Sequence, residues 1–294
     1  MSYFLSHSHL PLFSSPRLPK VFLGDLENTA CADWADDNSD LEKVLLPGEI
    51  IQIKDSIKTR KDENRWVAIT KSPYPLYGKK ELFTLRALIK PAQNSTRTNT
   101  PTTLPSRHKF VSRLREFEHT PYLYGGGSPE GISEFHETIK RYENATIISK
   151  QSVIRDIQKL RGVDCSGLFS LATDGYAYPD SKDMQQLTLK HGGRLLDIDR
   201  KDISEILSMV QPGDILYMHR HVMFFMDKNT IIQAVGRTGE NAQAFTQVTG
   251  KTYGKVVIDD AKRILEALIS IRKILPANSY TNEHQFCISR IFKT

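Results

Sequence analysis

Arg161-Gly162-Val163-Asp164-Cys165-Ser166-Gly167-Leu168-Phe169-Ser170-Leu171 sets a glycine and an acid before a lone cysteine, and an apolar run at helical spacing after it. That order predicts a helix with Cys165 in its first turn and Asp164 or Cys165 at the cap. The first amide N–H groups of a helix have no intrahelical partner, and the positive end of the macrodipole lies among them. A thiolate is stabilised there, which makes the sulfur a better nucleophile. Gly162, Ser166 and Gly167 are small enough for a substrate backbone to approach the sulfur. A free cysteine is more often a small buried hydrophobe, however. Chemistry can be read from this stretch only if the chain also supplies a base and an orienting group.

Further along, Pro212-Gly213-Asp214 reads as a turn feeding a strand from Ile215 to Met218. His221 to Met226 is the next strand, Asp227-Lys228-Asn229 turns the chain, and Thr230 to Val235 returns. The arms of a hairpin lie side by side, so His221 and Gln233 can share one face. A glutamine within Ile231-Ile232-Gln233-Ala234-Val235 is an odd choice for a strand. As a hydrogen-bond partner it would fix the imidazole tautomer, the role of the third member of a Cys–His–polar triad. Taken apart, His221 reads equally as an edge residue and Gln233 as a solvent-facing one. His219 lies two residues before His221 and would alternate to the same side. His219, Arg220 and His221 lack the carboxylate or cysteine partners of a metal site, and Asp214 reads as a turn residue.

Towards the N-terminus, Arg107 to Glu118 is a predicted helix, with Phe110, Val111, Leu114 and Phe117 at helical spacing. An extended, then glycine-rich, loop follows from Pro121 to Pro129. Glu130 to Tyr142 and Lys150 to Leu160 are two more amphipathic helices. Asp260 to Leu275 is helical and Phe286 to Phe292 is a closing strand. Residues 93–106 are polar and proline-containing, a linker by composition. Residues 21–92 read as short strands, best seen in Val44 to Ile53, Arg65 to Thr70 and Glu81 to Ile89, and suggest a small barrel. Residues 1–20 are broken by His7, His9, Pro11, Pro16 and Pro19 and read as an irregular arm. The fold class is therefore α+β, with a β domain at 21–92, a linker at 93–106 and a catalytic-type domain at 107–294.

Composition narrows the functions open to such a chain. Its 294 residues can bury one large core or two modest ones, and 25% are charged. No apolar run is long enough to span a bilayer, and the first residues lack the charged and apolar regions of a secretory signal. Cys31, Cys165 and Cys287 have neither disulfide-framework nor zinc spacing, so no metal or other cofactor is expected. The formal net charge of +6 comes from 40 basic and 34 acidic residues. They are interspersed, without a basic stretch carrying aromatics, so nucleic acid is not an expected partner.

Five segments in order carry a resemblance: Pro121-Tyr122-Leu123-Tyr124-Gly125-Gly126, Asp164-Cys165-Ser166-Gly167-Leu168, Pro212-Gly213-Asp214-Ile215-Leu216, His221-Val222 and Ile232-Gln233-Ala234. Together they resemble the signatures of the NlpC/P60 family, papain-like cysteine peptidases that act on cell-wall peptides. The N-terminal part is similar to the bacterial SH3-like domains found before such catalytic domains. The resemblance implies Cys165 as nucleophile, His221 as general base and Gln233 as orienter, although His or Asn is commoner at the third place. It implies that Tyr122 helps polarise the scissile carbonyl. It implies that Asp164 and Ser166 recognise a substrate amine, and that the bond cleaved joins γ-D-glutamyl to diaminopimelate or lysine in murein peptides. An amidase or acyltransferase using the same pair, or a non-catalytic wall-binding protein, stays open. No compartment follows, since cytoplasmic peptide recycling and work in the periplasm or envelope both fit. One departure is the stretch 128–162, a helical insertion where relatives have a short loop. It is expected to overhang the cleft and select short peptides, or to be a packing subdomain only.

Overall fold

A short strand leaves its backbone polar groups unmet unless neighbours pair with it, and the apolar runs of the N-terminal part do so edge to edge. The structure is a computed structural model that describes residues 2–6, 9–15, 41–47, 49–54, 66–72, 81–91, 101–143, 152–198, 201–218, 220–271, 273–274 and 285–292. Strands β1 (Ser2–Ser6), β2 (Leu10–Phe13), β3 (Leu41–Leu45), β4 (Ile50–Lys54), β5 (Trp66–Lys71), β6 (Leu82–Leu85) and β7 (Ile89–Pro91) form one antiparallel sheet. Their order is β3-β2-β6-β5-β4-β1-β7. Among the described residues no pairing joins β3 to β7. A 3-10 turn at Arg86–Leu88 separates β6 from β7, so Glu81 to Ile89 is strand, helical turn, strand.

The expected irregular arm needs correcting. Residues 2–6 and 10–13 are strands of this sheet, with Phe4 opposite Ile51 and Pro91, and Pro11 opposite Val44. Leu10, Leu12 and Phe13 are fully buried, and that burial outweighs the missing donor of Pro11. β2 meets β6 only at Phe13↔Phe83, so Pro11 faces a continuous ladder on one side alone. Trp66 is core, edge-on to Phe13 at 5.5 Å. Cys31, Trp34 and His219, and the linker from 93 to 100, lie outside the described residues.

The second half begins with helix α1 (Arg107–Glu116), capped by Ser106, and a two-stranded ladder of β8 (Gly127–Ser128) and β9 (Gly162–Val163). Between those strands lie α2 (Ser133–Glu143) and α3 (Ser152–Gln158). Then come α4 (Cys165–Ala172), α5 (Met184–Lys190), β10 (Arg194–Leu195) and α6 (Ile203–Met209). The chain continues through β11 (Ile215–Met218), β12 (His221–Phe225), β13 (Thr230–Val235), α7 (Gly239–Thr249), β14 (Lys255–Asp260) and α8 (Ala261–Ile271). It closes with β15 (Lys273–Ile274) and β16 (Gln285–Arg290). The sheet order is β10-β16-β11-β12-β13-β14, with β15 parallel to β16.

Helices cover both faces of this sheet. Ile215, Tyr217, Val222, Phe224, Ile232 and Ala234 pack towards α1 and α4, where Phe110 meets Phe169 at 5.8 Å and Phe224 at 5.7 Å. Leu216, Met218, Met223, Phe225 and Ile231 pack the other way, against Phe245 of α7 and Ile264, Leu265 and Leu268 of α8. Strands buried on both faces lose the polar alternation of a half-exposed sheet, so β11, β12 and β13 read as apolar runs. Arg290 of β16 donates to both oxygens of Asp214, at 2.9 and 2.7 Å, and Asp214 also accepts from the Gln211 N–H. The turn that launches β11 is thereby tied to the last strand.

The insertion packs on the N-terminal sheet. Ile132, Phe135, Ile139, Ile157 and Leu160 share one buried cluster with Leu12, Phe13, Trp66 and Leu88, and Phe135 stacks on Phe13 at 5.8 Å. Phe135→Ala should therefore cost about 3–5 kcal/mol, the range for a buried aromatic, in urea unfolding of the whole chain. A loss below about 1 kcal/mol would mean that the insertion is not part of that core.

Candidate active site

Helix α4 starts where the sequence places it. Asp164 is its cap: its carboxylate accepts from the Gly167 N–H and from the Ser166 hydroxyl at 3.0 Å. The glycines around the cysteine serve packing, and the expected open approach to the sulfur is not their role. A Cβ on Gly167 would collide with the Gly126 carbonyl oxygen, and one on Gly162 would lie 2.7 Å from the Leu123 Cβ. The Gly-Gly loop therefore lies directly on the first turn of α4.

Cys165 is buried in the cluster that includes Val222 and Val163. Burial pushes its thiol up to about 12, and the Asp164 charge pushes in the same direction. The Val222 backbone N–H, donating to the sulfur, and the Lys43 ammonium oppose them. The helix-start argument for a stabilised thiolate is thus outweighed, and the resting sulfur carries its proton.

β12 and β13 bring the expected partners together. His221 Nε2 lies 2.9 Å from Gln233 Oε1, and Gln233 Nε2 donates to Asp259 Oδ2 at 2.8 Å. Gln233 pairs with Val257, so Asp259 is its diagonal neighbour on β14. Asp259 also accepts from the Tyr253 hydroxyl at 3.2 Å and pairs with Lys251 Nζ at 2.7 Å. A carboxylate that only accepts forces the amide NH2 of Gln233 towards it, so Oε1 must face the imidazole. Oε1 in turn requires a proton on His221 Nε2, and the basic lone pair falls on Nδ1. His221, Gln233 and Asp259 are all buried. Asp259 escaped the sequence reading because it stands directly before the helix predicted from Asp260; the apolar Val256-Val257-Ile258 before it was the available signal.

A cleft of ≈ 460 Å³ opens over Cys165, with Tyr122, Tyr124, Asp164 and Ser166 on its walls. Asp180, Ser181 and Arg220 line it from the C-terminal half, and Glu42 and Lys43 line it from β3. Arg220 sits in the left-handed region at φ 59, a strained conformation for a residue with a side chain. Burial, with Asp180 and Asp164 nearby, pushes the Tyr124 phenol up to about 12, so it stays a hydrogen-bond donor. No described residue of the insertion lines this cleft; the wall expected from it is supplied by the N-terminal sheet.

Lys43 is the residue that sequence reasoning missed altogether. The residue is 2% exposed, and its ammonium donates to Ser166 Oγ at 2.8 Å and to the Asp164 carboxylate at 3.3 and 3.4 Å. Asp164 and Ser166, expected to receive a substrate amine, already hold one from their own chain. Nothing in β3 advertises this, since Leu41-Glu42-Lys43-Val44-Leu45 reads as an ordinary charged strand.

No protein-family profile and no curated protein matches the sequence. Among solved structures, an NlpC/P60 family protein from Bacillus cereus overlays on 98% of this chain and 99% of its own, with a TM-score of 0.51 and 12% identity. This is the NlpC/P60 fold. The peptidoglycan hydrolase RipB from Mycobacterium tuberculosis also matches, at a TM-score of 0.33 and 19% identity, over 64% of this chain and 65% of that one. The NlpC/P60 fold accounts for the mixed α/β architecture with antiparallel sheets. Among the described residues no three His, Cys, Asp or Glu side chains group as a metal ion would need, and no helix is long and apolar enough to cross a membrane.

Lys43→Met would leave the Asp164 carboxylate buried without its cation, with an expected loss of about 3–5 kcal/mol in urea unfolding. A loss within the range of exposed pairs, below about 1 kcal/mol, would refute the buried reading. Alkylation of Cys165 by iodoacetamide should accelerate about tenfold per pH unit through the neutral and mildly alkaline range. A plateau reached near neutrality would instead reveal a preformed thiolate.

Proposed function

We propose that this chain is a cysteine peptidase of the NlpC/P60 type that hydrolyses peptidoglycan stem peptides. The observations that carry the reading are the buried chain His221–Gln233–Asp259 and a cysteine at the start of α4, the helix that packs against β12 and β13. Together they provide a nucleophile, an imidazole with a fixed tautomer, and an anchor for the residue that fixes it. The shared fold adds a frame that by itself says nothing of activity. The N-terminal sheet is read as the SH3-like module that precedes such domains.

In this mechanism His221 Nδ1 takes the thiol proton of Cys165 as the sulfur attacks the amide carbonyl. The proton need not leave before substrate arrives, which suits a thiol held high by burial. A C–S bond forms, and the carbonyl electrons move to oxygen. The Cys165 backbone N–H, at the start of α4, and the Tyr122 hydroxyl stabilise that oxyanion. The C–N bond then breaks as the imidazolium returns the proton to the leaving amine. Water, deprotonated by His221, attacks the thioester and releases the acid and the free thiol. Gln233 contributes no charge; it keeps the imidazole in register, and Asp259 keeps Gln233 from flipping.

The bond proposed is that between γ-D-glutamyl and a diamino acid, diaminopimelate or lysine. Asp164 and Ser166 line the path to it. A substrate amine could engage them only by sharing them with, or displacing, the Lys43 ammonium. An amidase or acyltransferase would use the same pair on another acyl donor, and its acyl-enzyme would pass to a different acceptor.

The deciding experiment incubates the wild type, Cys165→Ala and Asp259→Asn with L-Ala-γ-D-Glu-diaminopimelate and follows release of free diaminopimelate. The wild type should turn over and Cys165→Ala should not. Asp259→Asn should lose about tenfold to a hundredfold in kcat, the usual cost of removing an outer-shell orienting partner. Absence of turnover by the wild type, with tight binding to isolated cell wall by both wild type and Cys165→Ala, would replace the peptidase reading with a wall-binding one.

A further inference from the structure

Asp164 is an unexpected neighbour for a nucleophile. Its carboxylate caps α4, but an asparagine or a serine caps a helix about as well without a charge. That charge takes up the positive potential of the helix start, which would otherwise favour a thiolate. Burial first, then Asp164 and, as the smallest contribution, Asp180 push the Cys165 thiol up. A nucleophile flanked in this way needs something to offset the carboxylate.

Lys43 stands where that offset is needed. Its ammonium donates to Ser166 Oγ at 2.8 Å and to the Asp164 oxygens at 3.3 and 3.4 Å, so it bonds the residues on either side of Cys165. Lys43, Asp164, Cys165 and Ser166 all line the same cleft. The backbone is shaped to bring β3 this close. A Cβ on Gly125 would lie 2.7 Å from the Leu41 carbonyl oxygen, and one on Gly127 2.9 Å from that of Val44. β3 therefore rests on the glycine loop, the loop rests on the first turn of α4, and the Lys43 side chain spans what is left. Stability alone is a weak reason for such a pair, because apolar residues of similar volume often replace a buried ion pair without loss.

We propose that Lys43 is an electrostatic partner of the nucleophile, cancelling the Asp164 charge so that the Cys165 sulfur can become negative, and that the N-terminal sheet thereby takes part in the chemistry. Lys43 acts through Asp164 and is a positioning residue, outside the catalytic set. As His221 removes the thiol proton, negative charge grows on the sulfur and then on the carbonyl oxygen. With Lys43 in place it grows beside a neutral pair. Without Lys43 it grows beside a bare carboxylate, which opposes it. This rests on the reading of Cys165 as nucleophile, and on no particular scissile bond.

Alkylation by iodoacetamide at about pH 8, followed by mass spectrometry of the Cys165 peptide, reads the sulfur with no substrate present. Lys43→Met should slow it about tenfold, the equivalent of one pH unit in the thiol's titration, and Lys43→Arg should keep it within about threefold of the wild type. Asp164→Asn keeps a capping side chain and should speed it at least about threefold. The double variant Lys43→Met/Asp164→Asn, with neither charge, should return to within about threefold of the wild type. Loosening of the fold would expose the buried sulfur and speed the reaction in Lys43→Met, so the sign separates charge from structure. Should Lys43→Met not fold, the order Asp164→Asn above the double variant decides. Alkylation faster in Lys43→Met than in the wild type, or no faster in Asp164→Asn than in the double variant, would overturn the proposal. On L-Ala-γ-D-Glu-diaminopimelate, kcat should fall by a similar factor in Lys43→Met. The expected alkylation order with no peptide turnover by the wild type would remove the peptidase reading and leave Lys43 its role. Turnover by the wild type with alkylation indifferent to these charges would do the reverse.

Discussion

The ion pair between Lys43 and Asp164 is the constraint on which the cleft depends. Asp164 caps α4 through the Gly167 N–H and also accepts from Ser166, so the Lys43 ammonium completes a network already committed to the start of that helix. Two buried charges must be paired, because either alone would be expensive. β3 therefore has one allowed position against α4. The fixed position brings Glu42 and Lys43 into the lining of the cleft, with Tyr122 and Tyr124. A second polar tie holds the same register: the Tyr178 hydroxyl donates to Glu49 at 2.9 Å and accepts from the Leu46 N–H at 3.1 Å. The N-terminal sheet is thus part of the cleft's construction, and the cleft is incomplete without it.

The insertion reinforces this arrangement from behind. Its buried positions share a cluster with the N-terminal sheet, while both of its ends feed the β8–β9 ladder directly before α4. Lengthening a surface connection costs little in closure entropy, so a long excursion there is tolerable if its apolar face finds cover. Phe13, Trp66 and Leu88 provide that cover. The excursion leaves the charged side chains of Glu137 and Lys140 on its outward face.

Much of the C-terminal half was legible in the sequence because its signals are local. The limits of β11 and β13 follow the turns at Pro212-Gly213-Asp214 and Asp227-Lys228-Asn229, and Asp164 could be placed at a helix start from its neighbours alone. His221 and Gln233 could be paired because a short turn joins their strands. Residues whose meaning depends on distant partners were not legible. Lys43 is 121 positions from Asp164, and β1 and β2 are strands because of partners far along the chain. α5, α6 and α7 escaped notice because each is short or weakly amphipathic. β14 was hidden by the acids at its end, and the residue that holds Gln233 was hidden with it.

The contact between Gln233 and His221 is better understood with Asp259 included. A glutamine alone is an ambiguous orienter, since its amide can present either oxygen or nitrogen to the imidazole. An aspartate in its place would remove that ambiguity but put a charge directly against the ring. Here the charge stands one hydrogen bond further away, neutralised in part by Lys251 at 2.7 Å. The imidazole therefore meets a neutral partner whose orientation is as definite as a carboxylate's. The sheet makes this possible at no extra cost, because β12, β13 and β14 are consecutive neighbours and the three side chains follow one another across them. Sheet order, more than the identity of any one side chain, is what gives the Gln233 amide a single orientation against His221.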